Sequence, residues 1–303
     1  MPQRLPKYRP VVLIILDGWG VAPESEGNAI TRANLPTYRK LLASYPSTTL
    51  QASGESVGLP YSEPGNSEVG HLNIGAGRVV YQDLPRINMA IADGSFLNNA
   101  VLKNAIAKAK SNRSKIHLMG LVGPAGVHSS TEHLYALLWM IKEQGYGEAY
   151  LHLFTDGRDS SPSAGLGVIS SLEERISSIG IGNIATVSGR YFGMDRDFHW
   201  DRTAQAYKAI AQGKSDYQAI SAKEAVNLAY GRGETDEFIR PTVLVNSAKR
   251  PLATVEEGDI VINFNFRADR VRQITRSFTE REFDEFPVRR YVDLTYVCLT
   301  RYD

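Results

Sequence analysis

Six short apolar runs recur along the chain, at residues 11–16, 116–121, 149–155, 184–188, 260–264 and 291–298. Each has the length of a strand, and most lack the polar alternation of a half-exposed one, as expected of interior strands in a parallel sheet. Between them the apolar spacing becomes helical. Leu134, Leu137, Leu138 and Ile141 form one stripe after Ser129, with Glu132 placed to complete a capping box. Leu166, Ile169, Leu172 and Ile176 form a second, closed by Gly180. Strand, helix, strand, helix from 149 to about 212 predicts βαβ units, so the fold class is α/β with a mainly parallel sheet.

That topology gives the residues after each strand a meaning, because ligands of open α/β sheets sit beyond the carboxyl ends of the strands. Asp17 ends the first run, and His128 lies in the loop after the second. Asp156, Arg158 and Asp159 follow the third; Arg190, Asp195 and Arg196 follow the fourth; Arg267 and Arg270 follow the fifth. Asp17 reads equally as a turn residue before glycine or as a hard oxygen ligand for a metal. His128 reads as a helix-cap histidine or as a catalytic one. The arginines are either separate surface charges or a convergent site for carboxylate or phosphate, whose oxygens match the guanidinium fork. Asp156 and Asp195 are candidates for orienting those arginines.

Composition narrows the classes. The chain has 303 residues, 43% of them hydrophobic, enough for a substantial core and for two domains. Its 34 Lys and Arg nearly balance 33 Asp and Glu, so no bulk charge favours nucleic acid or an anionic membrane, and neither is expected as a partner. The single cysteine, Cys298, excludes an intrachain disulfide and fits a reducing compartment. Arg4, Lys7 and Arg9 precede the first apolar run in the manner of a signal peptide. The run is too short for one and ends at Asp17, which favours a buried strand over residues 11–16 and a cytoplasmic protein.

The stretch GNSEVGHLNIGAG at residues 65–77 combines a serine, a glutamate and a histidine with many glycines. It is either a tight structural loop or a backbone shaped to present Ser67, whose hydroxyl would need a base or a metal to act as a nucleophile. Read with ILDGWG at 15–20, QASGESVGLP at 51–60, TDGRD at 155–159, SGRYFGMDRD at 188–197 and NFRADRVRQITR at 265–276, this stretch resembles cofactor-independent phosphoglycerate mutase. The six strings occur in order over nearly the whole chain.

The resemblance implies an alkaline-phosphatase-like fold carrying an inserted substrate-holding domain. It also implies the glycolytic and gluconeogenic interconversion of 3-phosphoglycerate and 2-phosphoglycerate through a phosphoserine, with two divalent metals, manganese as the expected ion, and no 2,3-bisphosphoglycerate. Ser67 would be the nucleophile and, with Asp17, a metal ligand. His128, Arg158, Asp159, Arg190, Arg196, Arg267 and Arg270 would hold the substrate. Where the family commonly has SDGGVHSH, this chain has GPAGVHSS at 123–130, which changes the hydrogen bonding around His128.

The family pattern also continues past a TRYD-like string, here residues 300–303, into a segment with most metal ligands and a catalytic lysine. The expectation is therefore a first segment of the metal-binding domain at 1–81, an inserted substrate-holding domain at 82–300 and the start of a return linker at 301–303. Such a chain would be inactive or nearly so by itself. A noncatalytic phosphoglycerate-binding or interaction module is the alternative. Segment 1–80 would leave apolar edges exposed unless a C-terminal portion or another copy covered them.

Overall fold

The computed structural model describes residues 10–61 and 63–302. Arg4, Lys7, Arg9 and the terminal Asp303 lie outside them. The chain divides into two compact units, Met1–Gln82 and Asp83–Asp303.

The described residues of the first unit form helices and turns. Helix α1 (Ala29–Arg32) is capped by Asn28, α2 (Pro36–Ser44) starts on its proline, and α3 spans Ser67–Ala76. The predicted strand at 11–16 does not form. Those residues carry no regular structure, no other strand is described in this unit to give them a ladder, and their side chains are exposed, Val11 by 90% and Ile14 by 77%. A strand without a partner leaves its backbone to water and its apolar side chains uncovered. The apolar side chains of residues 11–16 are exposed, but as an unpaired segment rather than as the strand edge expected.

The second unit contains α4 (Asp83–Ala92), α5 (Ala100–Asn112), β1 (Ile116–Val122), α6 (Thr131–Glu143), β2 (Ala149–Thr155), α7 (Gly165–Ile179) and β3 (Asn183–Gly189). There follow α8 (Arg190–Gly193), α9 (Trp200–Gln212), β4 (Tyr217–Ala219), α10 (Ala222–Gly231), β5 (Thr242–Leu244), β6 (Ile260–Asn263), α11 (Arg272–Thr279) and β7 (Thr295–Cys298). The seven strands are ordered β4-β5-β3-β2-β1-β6-β7, and every neighbouring pair is parallel except β3 with β5. The α/β expectation holds. Strands β4 and β5 escape the sequence pattern because three residues cannot display a period, and β7 is shorter than the predicted run because Val292 is fully exposed ahead of it.

Alternate side chains of β1 enter opposite cores. Ile116 and Leu118 pack with Ile106, Leu137 and Ile169 from α5, α6 and α7, whereas Met119 and Leu121 pack with Tyr207 and Ile274 from α9 and α11. Tyr302, in the predicted return linker, also packs in the second core and donates its hydroxyl to Asn265 O at 2.6 Å. Helix α7 ends at Gly180, whose φ of 88° is the left-handed conformation that a helix C-cap favours. The capping box at Ser129 does not form. The helix starts two residues later, and Ser129 donates instead to Leu121 O at 2.5 Å, tying the loop back to its own strand.

One polar chain crosses the apolar sheet. Thr186 Oγ1 lies 3.0 Å from His152 Nδ1, His152 Nε2 lies 2.9 Å from His117 Nδ1, and His117 Nε2 lies 3.1 Å from Asp259 Oδ2. Since an ionised carboxylate only accepts, the proton directions follow: His117 donates to Asp259, His152 to His117 and Thr186 to His152. Burial holds both imidazoles below their ordinary pKa, so they are neutral at neutral pH. Burial pushes the Asp259 carboxyl up, but hydrogen bonds from His117 and from the backbone of Glu256 and Lys115 leave it below the usual range. Replacing Asp259 by Ala would strand these neutral buried donors, and urea unfolding is expected to show a loss of about 1–3 kcal/mol.

Candidate functional site

Asn66 accepts a hydrogen bond from Val69 N at 3.0 Å and so starts α3 with Ser67 as its first residue. The glycine-rich stretch is therefore largely a helix rather than a loop. Gly65 is required by close approach, since a Cβ there would lie 1.6 Å from Ala52 O, and Gly77 ends the helix at φ 64°. The Ser67 hydroxyl is exposed at the helix start and donates to Asp17 Oδ2 at 2.6 Å. His71, one turn on, places Nδ1 2.8 Å from Ser67 O and 3.3 Å from Ser67 Oγ. Ser67 and Asp17 thus bring two hard oxygens into contact, a donor pair that fits a divalent cation as part of its coordination shell.

The second unit gathers its polar residues at the carboxyl ends of β1, β2, β3 and β6, around the point where strand order reverses between β1 and β6. The loops after β1 and β6 are joined by their backbones, with His128 O accepting from Phe266 N at 3.0 Å and Arg267 N at 3.2 Å. Arg190 follows Gly189, where a Cβ would lie 2.2 Å from Glu237 O, so the chain passes closely enough to direct the arginine inward.

Arg190 is 2% exposed and organises the cluster. Its Nη1 donates to Asp156 Oδ1 and Asp159 Oδ2, each at 2.6 Å, and its Nη2 lies 3.0 Å from His128 Nε2. A guanidinium cannot accept, so His128 Nε2 does, and the neutral ring carries its proton on Nδ1. Burial, then the nearby Arg190 charge, push the His128 pKa down to about 4. Burial pushes the Asp156 carboxyl up, but its hydrogen bonds from Arg190 and the Asp159 backbone prevail and leave it lowered.

The remaining arginines stand nearer solvent. Arg196 Nη1 donates to Asp269 Oδ2 at 2.8 Å, and Arg267 Nε lies 3.0 Å from Asp269 Oδ1. Arg158 pairs with Glu237 at 3.2 Å. Arg270 reaches only Met194 O, at 3.5 Å, and has no carboxylate partner among the described residues. Burial lowers its pKa, and the fields of Arg190, Arg196 and Arg158 lower it further. This crowding of cation on cation is relieved by an incoming anion.

The structure thus brings together His128, Asp159 and Arg190 in direct contact, with Arg196, Arg267 and Arg270 around them and Arg158 in the same electrostatic field. Asp17 and Ser67 form a separate pair in the first unit. Sequence reading missed Asp269 and Glu237. The placement of Asp269 between two arginines was the available signal. Asp195 pairs with Arg202 rather than with the candidate arginines, and it also accepts from Gln273 and from the backbone of Asp197 and His199. Asp195, Asp197 and His199 are close enough for a shared ion, but the buried carboxylate is already occupied by these donors, one of them cationic, and does not fit a metal.

A family model described as BPG-independent PGAM N-terminus matches residues 87–303. The 2,3-bisphosphoglycerate-independent phosphoglycerate mutase of Moorella thermoacetica is 54% identical over 297 residues, 97% of this chain and 57% of that protein. Its counterpart from Methanococcoides burtonii is 53% identical over 295 residues, with the same coverage of both chains. A solved structure, Leishmania mexicana phosphoglycerate mutase at low cobalt concentration, is 30% identical with a TM-score of 0.75, covering 95% of this chain and 54% of that one. The chain thus spans little more than half the length of these relatives. No helix among the described residues is long and apolar enough to cross a membrane.

The lowered pKa of His128 sets a pH dependence. Above pH 6.5 its ring is neutral both folded and unfolded; as pH falls from 6.5 toward about 4 the unfolded chain takes up a proton that the folded one refuses, and stability is lost. The expected loss from His128 is on the order of 3 kcal/mol. His133, also lowered to about 4 by burial, adds to the same window. Urea unfolding measured across this range is expected to fall with pH, and less steeply for His128→Gln than for the unsubstituted chain.

Proposed function

Because the chain belongs to the family of 2,3-bisphosphoglycerate-independent phosphoglycerate mutases, we propose that its arginine cluster holds a phosphoglycerate and that the whole protein interconverts 3-phosphoglycerate and 2-phosphoglycerate through a phosphoserine at Ser67. Arg270 carries the ligand assignment: it is a partly buried guanidinium without a carboxylate partner among the described residues, crowded by three other arginines. In this reading the first unit is the leading segment of a phosphatase-like domain, and the second holds substrate. Such an enzyme would work in the cytoplasm.

Each group then has its own step. Arg270 and the exposed heads of Arg158, Arg196 and Arg267 take the anionic ends of the substrate, while Arg190 and His128 hold the pocket's shape beneath them. Asp159 shares only one oxygen with Arg190 and is partly exposed, which leaves it able to accept from a substrate hydroxyl. The Ser67 oxygen forms a bond to phosphorus as the bond to the glycerate oxygen breaks; that oxygen leaves with the electron pair, and the proton given up by the Ser67 hydroxyl balances the one it takes up. Return of the phosphoryl group to the other hydroxyl completes the exchange, so the arginines must retain the free glycerate in between. Metal bound through Asp17 and Ser67, with manganese and a count of two as the family expectation, would lower the hydroxyl's proton affinity and neutralise phosphoryl charge.

A binding module without turnover is the second reading, favoured for this chain alone by the metal side. Asp17 and Ser67 offer two oxygens, whereas hard divalent ions take about six. Calorimetry is expected to show 3-phosphoglycerate binding that weakens with salt, and Arg270→Ala is expected to weaken it about tenfold or more. Unchanged affinity in that variant would remove Arg270 from the site. In a coupled assay with manganese, little or no conversion to 2-phosphoglycerate is expected. Full turnover abolished by Ser67→Ala would overturn the module reading.

A further inference from the structure

The carboxylate of Asp269 is shared by three side chains from two other strand ends and its own loop. Its Oδ2 accepts from Arg196 at 2.8 Å; its Oδ1 lies 3.0 Å from Arg267 Nε and 3.5 Å from His128 Nδ1. Both Asp269 Oδ1 and His128 Nδ1 are buried atoms without a hydrogen-bond partner, and they face one another. The hydrogen bond from Arg190 places the His128 proton on that same Nδ1, so an unsatisfied donor stands opposite a carboxylate oxygen that is ion-paired with Arg267 but accepts no hydrogen bond, short of one by a few tenths of an ångström. Buried polar atoms left in this way cost stability, and a small displacement would satisfy both.

We propose that Asp269 is a positioning residue of the anion pocket, holding Arg196 and Arg267 as a pair and coupling their engagement with an anion to His128. The identity of the anion as phosphoglycerate rests on the reading above; the coupling does not. Without an anion, the carboxylate is pulled toward the two guanidiniums, whose mutual repulsion it screens. When an anion takes up part of their hydrogen bonding, Asp269 Oδ1 is released toward His128 Nδ1–H and closes that bond. The chain Asp269, His128, Arg190, Asp156 and Asp159 then runs unbroken across the ends of β6, β1, β3 and β2.

The groups facing the His128 ring give the direction of the effect. Arg190 and Arg267 disfavour its protonation, while Asp269 and Asp159, the latter 3.6 Å from Nε2, favour it. Moving the Asp269 carboxylate closer to His128, together with the arrival of an anion, makes the ring easier to protonate. Removing the Asp269 charge does the opposite and leaves the two arginines to repel each other.

The test is an NMR titration of the His128 ring in the full chain and in Asp269→Asn, which keeps the shape and one acceptor oxygen but loses the charge. Each titration is run with and without inorganic phosphate and 3-phosphoglycerate, and affinity for 3-phosphoglycerate is measured by calorimetry. Asp269→Asn is expected to titrate His128 at lower pH, to show a smaller upward shift on adding anion, and to bind about tenfold more weakly. An unchanged His128 titration, or unchanged or tighter binding, would overturn the proposal. If Asp269→Asn does not fold, Arg267→Gln decides: losing that cation is expected to move the His128 titration upward, and no movement counts against the coupling. Absence of 3-phosphoglycerate binding by the unsubstituted chain would defeat the functional reading, and the His128 titrations with phosphate would then judge Asp269 alone.

Discussion

A guanidinium removed from water must have its charge met on the spot, and the buried Arg190 imposes that requirement on the whole ligand end of the second unit. Two aspartates from the loop after β2 supply the countercharge, and the imidazole after β1 supplies the remaining acceptor. Because these partners come from different strands, meeting the charge also fixes the loops relative to one another. Removing one partner from such a group is more damaging than the net value of the pair suggests, since the others remain buried and unpaired. The exposed arginines inherit their positions from this base. Their carboxylate partners keep them apart from each other without satisfying Arg270, which is the cation on which the proposed anion site turns.

Much of this was legible in the sequence where a residue's neighbours along the chain determine its setting. Interior strands such as β1 and β2 announce themselves as apolar runs, and the polar loops behind them follow from the rule that parallel sheets bind at their carboxyl ends. The convergence of Arg190, His128 and Asp159 could be anticipated only through topology, because they lie on three separate loops. Asp269 was missed for a physical reason: a short acidic residue between arginines reads as local charge compensation, and only three-dimensional placement shows it reaching Arg196 and His128. The strand expected at 11–16 failed for the complementary reason. Its composition was right, but a strand is a property of two segments, and no described segment of the first unit pairs with it.

Among its described residues the first unit illustrates how local order can persist with little buried apolar surface, Leu59 and Val69 being its buried large apolar side chains. Asn28 and Asn66 cap α1 and α3 through their side chains, and Gly65 and Gly77 shape the ends of the Ser67 segment. These features are encoded within a few residues and place the serine hydroxyl against Asp17. Helices stabilised this way lean on caps and turns more than on burial, whereas the second unit is held by two packed layers around its sheet.

Those layers create a difficulty of their own. When β1 and β2 are apolar on both faces, sliding one past the other by a single residue exchanges one set of aliphatic contacts for another, and hydrophobic burial distinguishes the alternatives poorly. The buried chain from Thr186 through His152 and His117 to Asp259 removes that degeneracy. A one-residue slip would turn His152 to the opposite face, among Leu and Ile side chains, and leave His117 without its donor. The histidine pair therefore acts as a registration mark for the sheet, and the alignment it secures is what brings the loops after β1, β2 and β3 to a common level.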